Sequence, residues 1–514
     1  MTTAHRCDER NKSFQKQLGF NELRQDRENS AVQLRKQKRI QHLNKKRANF
    51  QADVLISEKM FFPPSLIEPQ LLNFYPILNA EITPGIRLDH LVHIIKECQD
   101  SEIMVLALGS LKNVISKNRE FPFGLVCNEE LIRVLMQVLN SKNTQLIQQA
   151  LWCVINFFAD APGNILDKFI DQGIIPSLCE IMKTNPSQDI IENCIWALGN
   201  LIGEGGKYRI LTESFFLWRD FLHLAVSDNL SIRKVSVWAL VNYVNNKPIL
   251  SLTISTEILQ ILSSGLMSED YEILKETCWI CYFVTNNHNE LVQYLFTYDY
   301  ITRLEELLRN NNVKIQYPAA KIFGNISICG NEYCENILQR GFLQILGPLL
   351  THPDNKMKKE VLFIFSNFLA GSKDMVLRIL NHPCYKALFE YINNENLTLK
   401  KEAFWALSNA ASCESVEVLI KLQELKLFPL LLQGFFHLDV NLLRSILDSL
   451  LNIFKVFRSY YEWDNWVNFV EDFSNYDGFD KIESLLSHPN HKIMEKAEEL
   501  MRYKESRYSD IEYS

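Results

Sequence analysis

The sequence predicts an all-α solenoid of about ten stacked repeats behind a basic N-terminal arm, and three observations predict it. The 514 residues include only 18 Gly and 16 Pro, too few for a turn-rich β architecture, while 47% hydrophobic and 22% charged residues are ordinary for a folded helical protein. One motif recurs about every 42 residues. Charge is divided unevenly: residues 1–47 carry 13 Lys and Arg against 5 Asp and Glu, a net +8, and the remainder carries −15. Length alone allows either several domains or one long array. The periodicity decides for the array.

The arm spans residues 1–50 and centres on ELRQDRENSAVQLRKQKRIQHLNKKRANF, residues 22–50. Val32, Leu34, Ile40 and Leu43 are a thin apolar component, so this segment buries little alone and folds as a helix only when bound. Residues 51–74, with Pro63-Pro64, read as a linker. The solenoid follows over 75–507 and a short tail over 508–514.

Seven segments align in the solenoid: QQALWCVINFFA, IENCIWALGNLI, RKVSVWALVNYV, KETCWICYFVTN, PAAKIFGNIS, KEVLFIFSNFLA and KEAFWALSNAAS. An aromatic residue followed four positions later by Asn is complete at Trp152/Asn156, Trp196/Asn200, Trp238/Asn242 and Trp405/Asn409. Phe363/Asn367 substitutes Phe, Lys321/Asn325 substitutes Lys, and Trp279 is followed by Phe283. Asn113 and Asn452 extend the series outward. A unit of this length with three short helical patterns has the size of an armadillo repeat, whose neighbours stack to bury a continuous core. The apolar positions around Trp196 (Ile190, Ile191, Cys194, Ile195, Leu198 and Leu201) surround the helix, so it is expected to be packed on most sides.

Residues i and i+4 share one helix face, so stacked repeats set a column of Trp beside a column of Asn. Core packing accounts for a Trp at any single position. Asn is a poor helix-interior residue, and its recurrence at one phase is expected to serve an extended peptide, whose backbone one amide can satisfy as donor and acceptor. The indoles would then form slots for the stems of long cationic side chains, each adding about 0.5–2 kcal/mol of cation–π attraction. Glu276, Glu360 and Glu402 lie three residues before the aromatic position, and Glu204 lies four after Asn200. The expected ligand is therefore an extended Lys/Arg-rich peptide, and Lys45-Lys46-Arg47 at the end of the arm has the same chemistry.

Other classes are disfavoured. Twelve Cys without a CxxC pair read as reduced thiols of a cytosolic or nuclear protein. No signal-peptide core or apolar run of about 18 residues occurs. There is no Walker loop, G-x-S-x-G elbow or HExxH, and GEGG at 203–206 reads as a helix-ending turn, so no enzyme, cofactor or metal is expected. A scaffold binding acidic or other extended peptides is the alternative; nucleic-acid binding by the arm is the weaker one.

The arm, the ladder segments PAAKIFGN and KEAFWALSNA, and the closing GFDKIESLLSHPNHKIMEKAEEL strongly resemble importin α, the nuclear-import adaptor family. The resemblance implies a right-handed armadillo superhelix with two grooves for nuclear localisation signals. The major one would use Trp152, Asn156, Asn193, Trp196, Asn200, Glu204, Trp238, Asn242 and Glu276. The minor one would use Lys321, Asn325, Glu360, Phe363, Ser366, Asn367, Glu402, Trp405 and Asn409. Arg24, Arg27, Arg35, Lys36, Lys38 and Arg39 would contact importin β, and Lys45, Lys46 and Arg47 would occupy the major groove in cis. The resemblance further implies cargo release by Ran-GTP, return by an export factor, and shuttling between cytoplasm and nucleus without membrane insertion. The chain departs from the family pattern at Glu204 (usually Asp), at Asp160 and either Asn164 or Ile165 (usually Gly and Thr), at Asn245, Asn331 and Phe363, and in the arm at ELRQDRE.

Overall fold

The computed structural model describes residues 66–75, 84–117, 121, 123–436 and 439–505. Every regular element among them is helical, and they form two compact units that divide between Asn287 and His288. The arm residues, including Arg24, Arg27, Arg35, Lys36, Lys38, Arg39, Lys45, Lys46 and Arg47, lie outside the described residues.

The Trp/Asn segments all lie on the long last helix of a repeat. In the first unit these are α1 (Ser101–Lys117), α2 (Thr144–Asp160), α3 (Gln188–Gly203), α4 (Leu230–Val244) and α5 (Tyr271–Asn287). In the second they are α6 (Val313–Ile326), α7 (Asn355–Leu369), α8 (Leu397–Ala411), α9 (Val440–Tyr460) and α10 (His491–Glu505). Successive starts through α9 are 41 to 44 residues apart, and α10 follows after 51. Within each unit, consecutive ladder helices pack directly on one another.

Local chemistry starts these helices. Asp100, Asn143, Asn229, Asp270, Asn312, Asp354, Asn396, Asp439 and Asn490 each sit one residue before a ladder helix, and their side chains accept backbone N–H groups of its first turn. Each cap contributes roughly 1 kcal/mol. Ser187, before α3, makes no such bond.

Shorter helices fill the rest of each repeat. Gly163–Asp171 buries Ile165, Leu166 and Phe169, and Ile174–Thr184 buries Ile174, Leu178 and Met182, each large apolar side chain being worth about 1.5–3 kcal/mol. α3 packs against Ile174–Thr184 and its neighbours α2 and α4, and its residues from Asn193 to Ile202 are buried. The second unit ends in an aromatic cluster in which Phe454 of α9 meets Trp466, Phe473, Phe479 and Tyr503.

The linker is shorter than expected. Leu66, Ile67 and Leu71 are buried, Glu68 N donates to Ser110 Oγ at 3.0 Å, and Asn113 Nδ2 donates to Leu66 O at 3.3 Å. Residues 66–74 thus cover the exposed side of α1. The GEGG turn also has a physical reason: a Cβ on Gly206 would lie 1.6 Å from Lys247 O, so only glycine admits that crossing of backbones.

A ladder of amides, indoles and carboxylates

The ladder asparagines have two sides, and the protein uses one of them. In the first unit, Asn200 Nδ2 donates to Ile155 O at 3.2 Å and Asn242 Nδ2 to Gly199 O at 3.1 Å, in each case on the preceding ladder helix. In the second, Asn409 Nδ2 donates to Ser366 O at 2.9 Å, Asn452 Nδ2 to Ala411 O at 2.9 Å, and Asn367 Nδ2 to Ser327 Oγ at 2.9 Å. Asn156, Asn193 and Asn325 are buried on their own helices. The amides were expected to be held wholly for a peptide backbone; the donors instead fasten each repeat to the one before it. Asn200 Oδ1 and Asn409 Oδ1 are buried and accept no hydrogen bond within the protein.

The indoles are less open than the slot expectation required. Trp196 is 1% exposed and Trp238 4%, while Trp152, Phe363 and Trp405 are half-buried. Two contacts contribute to this. Trp152 meets Trp196 edge to face at 5.5 Å. Trp238 lies over Gly199, where a Cβ would come within 2.5 Å of Cζ3. The accessible aromatic edges therefore belong to Trp152 in the first unit and to Phe363 and Trp405 in the second. Where the motif breaks, Trp279 stacks on Phe283 at 5.7 Å.

The acids also depart from expectation. Glu204 is exposed at the end of α3, but Glu276, Glu360 and Glu402 are buried. Glu276 pairs with Lys275 at 2.9 Å and Glu360 with Lys321 at 2.6 Å. Burial depresses Lys275, but the adjoining Glu276 carboxylate, with Tyr271 and Glu272, more than offsets this and holds the ammonium above its ordinary range. Two carboxylates read as waiting for a ligand's cations, Glu276 and Glu360, are thus engaged by the protein's own lysines. Ser366 is buried beneath Asn409, whose Nδ2 reaches its Oγ at 3.0 Å.

The departures sort by exposure. Asp160 and Asn164 are on the surface whereas Ile165 is in the core. Asn245 and Asn331 are half-buried. The sequence reading missed Asn246, whose Nδ2 donates to Ile202 O at 2.7 Å and Asn242 O at 2.8 Å; its position one turn after Asn242 was the available signal. Among the described residues no His, Cys, Asp or Glu group could hold a metal ion, and no helix is long and apolar enough to cross a membrane. Burial raises the thiols of Cys127 and Cys153 to about 12, which makes them poor nucleophiles.

A model of the armadillo/beta-catenin-like repeat matches residues 167–203, a stretch that contains α3 and the helix before it. A model of the importin beta binding domain matches residues 10–61. Importin subunit alpha-1b of Oryza sativa subsp. japonica is 25% identical over 267 residues, covering 51% of this chain and 50% of that protein. Importin subunit alpha-8 of Arabidopsis thaliana is 22% identical over 308 residues, covering 60% and 68%. The chain spans about half the length of the two rice relatives it matches, 50% and 54%. A crystal structure of an engineered protein shares the fold with a TM-score of 0.69 at 18% identity, over 81% of this chain and 98% of that one. With a match to the armadillo/beta-catenin-like repeat in its body, a match to the importin beta binding domain at its start and importin alpha subunits among its relatives, the chain is similar to the importin alpha family.

Proposed function

We propose that the chain is a non-enzymatic nuclear-import adaptor that holds Lys/Arg-rich localisation signals along its ladders and is carried by importin beta through the arm. The observation that carries this reading is the pair of buried acceptors, Asn200 Oδ1 and Asn409 Oδ1, one in each unit. A buried carbonyl oxygen without a donor costs about 1–3 kcal/mol, and an extended peptide's N–H relieves that cost. Beside them, the half-buried Trp152 and Trp405 offer ring edges to cationic stems, and exposed Glu204 offers charge. Major-groove and minor-groove roles for the remaining ladder residues belong to the same proposal, as do release by Ran-GTP, return by an export factor, and shuttling between cytoplasm and nucleus.

The arm's Lys45-Lys46-Arg47 would compete for the first ladder in cis. A short tether gives an effective concentration of order mM, so against an intrinsic affinity of about 0.1 mM it weakens free signal peptides on the order of tenfold. The test is titration of a fluorescent Lys-rich peptide and of an acidic peptide against the full chain and a variant lacking residues 1–50. The basic peptide is expected to bind, about tenfold more tightly without the arm. Preference for the acidic peptide would overturn the adaptor reading in favour of a scaffold.

A further inference from the structure

Lys321 occupies the phase that Trp holds at Trp152, Trp196, Trp238 and Trp405. Its ammonium lies 2.6 Å from Glu360 Oε2 and 5.5 Å from the Tyr317 ring centroid, with Lys321 7% and Glu360 4% exposed. Carboxylate and aromatic face together make the site a basic peptide side chain would seek. In this molecule the chain's own side chain already fills it.

Resting on the adaptor reading, we propose that Lys321 is a resident cation that determines the specificity of the second unit's ladder. It closes Glu360 to ligand ammonium or guanidinium groups, so this ladder selects peptide segments with an uncharged residue at that step. A ligand cation would have to leave water, displace Lys321 from a buried pair, and leave Lys321 unpartnered. An uncharged side chain asks for none of this. Trp405 and the Asn409 acceptor remain for the flanking part of the peptide, so the ladder is restricted in sequence without being blocked.

The test is calorimetric titration of the full-length chain with two decapeptides, one all Lys/Arg and one with a central Ala, comparing wild type, Lys321→Met and Lys321→Met/Glu360→Gln. Lys321→Met keeps the apolar stem and removes the Lys321 ion pair from Glu360. It is expected to tighten the all-basic peptide at a second site by tenfold or more, and the double variant is expected to lose that gain. Folded Lys321→Met with wild-type affinity for both peptides would overturn the proposal. If that variant does not fold, acylation of Lys321 in the wild type, read by mass spectrometry, decides. Labelling unchanged by saturating basic peptide supports the resident cation, and increased labelling, which shows the peptide taking Glu360, overturns it. Failure of every form to bind either peptide would instead remove the adaptor reading itself.

Discussion

The two units are built on the same stitch and closed by different chemistry. In both, a ladder Asn donates to the preceding repeat: Asn200 and Asn242 in the first unit, Asn409 and Asn452 in the second. The first unit surrounds that stitch with apolar and backbone contacts: Trp152 on Trp196, Trp238 on Gly199, and the Lys247 carbonyl against Gly206. The second uses charge and hydroxyls. Lys321 pairs with Glu360, Asn367 reaches Ser327, and Ser408 lies 2.7 Å from the hydroxyls of both Ser445 and Ser449 in a buried cluster between α8 and α9. One repeat spacing therefore fixes a common backbone connection but leaves the surface character of each ladder free to vary.

Substituting the glycines should separate the two modes most sharply. Gly206→Ala would force a methyl into a backbone carbonyl, which cannot move without displacing the chain after α4, so a loss of about 3 kcal/mol or more is expected, the upper end of overpacking. In the second unit, Gly434→Ala meets the tip of Ile446 at 2.3 Å, a side chain that can change rotamer, and about 1 kcal/mol is expected. Denaturant unfolding of the two variants measures the difference; equal losses would show that both units yield in the same way.

The shared stitch should break more gently and equally. Asn242→Ala and Asn409→Ala each remove one amide donor to a carbonyl of the neighbouring repeat, and each is expected to cost about 1–2 kcal/mol. Asn409→Ala should in addition weaken basic-peptide binding, because it removes the unsatisfied Oδ1 acceptor. A stability loss confined to one variant would mean that the common pattern is common only in geometry.

The fold was legible because its signal is repeated. A Trp or its substitute at seven evenly spaced positions located the ladder helices, and the apolar ring around Trp196 foretold its burial. The site was legible in register but less so in chemistry. Sequence spacing shows that Asn200 and Trp196 share a face, but not that the amide's donor turns back to Ile155 or that Trp152 closes over Trp196. Neighbouring repeats decide those directions. Glu360 looked like a groove acid because its partner Lys321 is a repeat away in sequence and reaches it only after stacking. Residues 66–74 looked like linker because three apolar side chains are too few for a periodic signal, yet suffice to cover one helix. The capping residues from Asp100 to Asp439, by contrast, follow the repeat period and were available to be read.

The smallest expected effect tests a feature the units share. Asp270 in the first unit caps α5 and pairs with Lys234 at 2.7 Å; Asp439 in the second caps α9 and pairs with Lys401 at 3.0 Å. Burial raises both carboxyls, but the lysine and the backbone N–H groups more than offset it, so both lie below the ordinary value of 3.8. A carboxylate depressed in the folded state stabilises the fold above its unfolded value, and that contribution is lost as pH falls through the folded one. Asp270→Asn and Asp439→Asn keep the cap acceptor and lose the ion pair, so each should cost no more than about 1 kcal/mol at pH 7. Thermal melts at pH 7 and at progressively lower pH should show each variant's deficit shrinking below about pH 4, where the wild-type carboxyl takes up its proton. A deficit that stayed constant with pH would assign these residues to capping alone and remove charge from the common part of the two units.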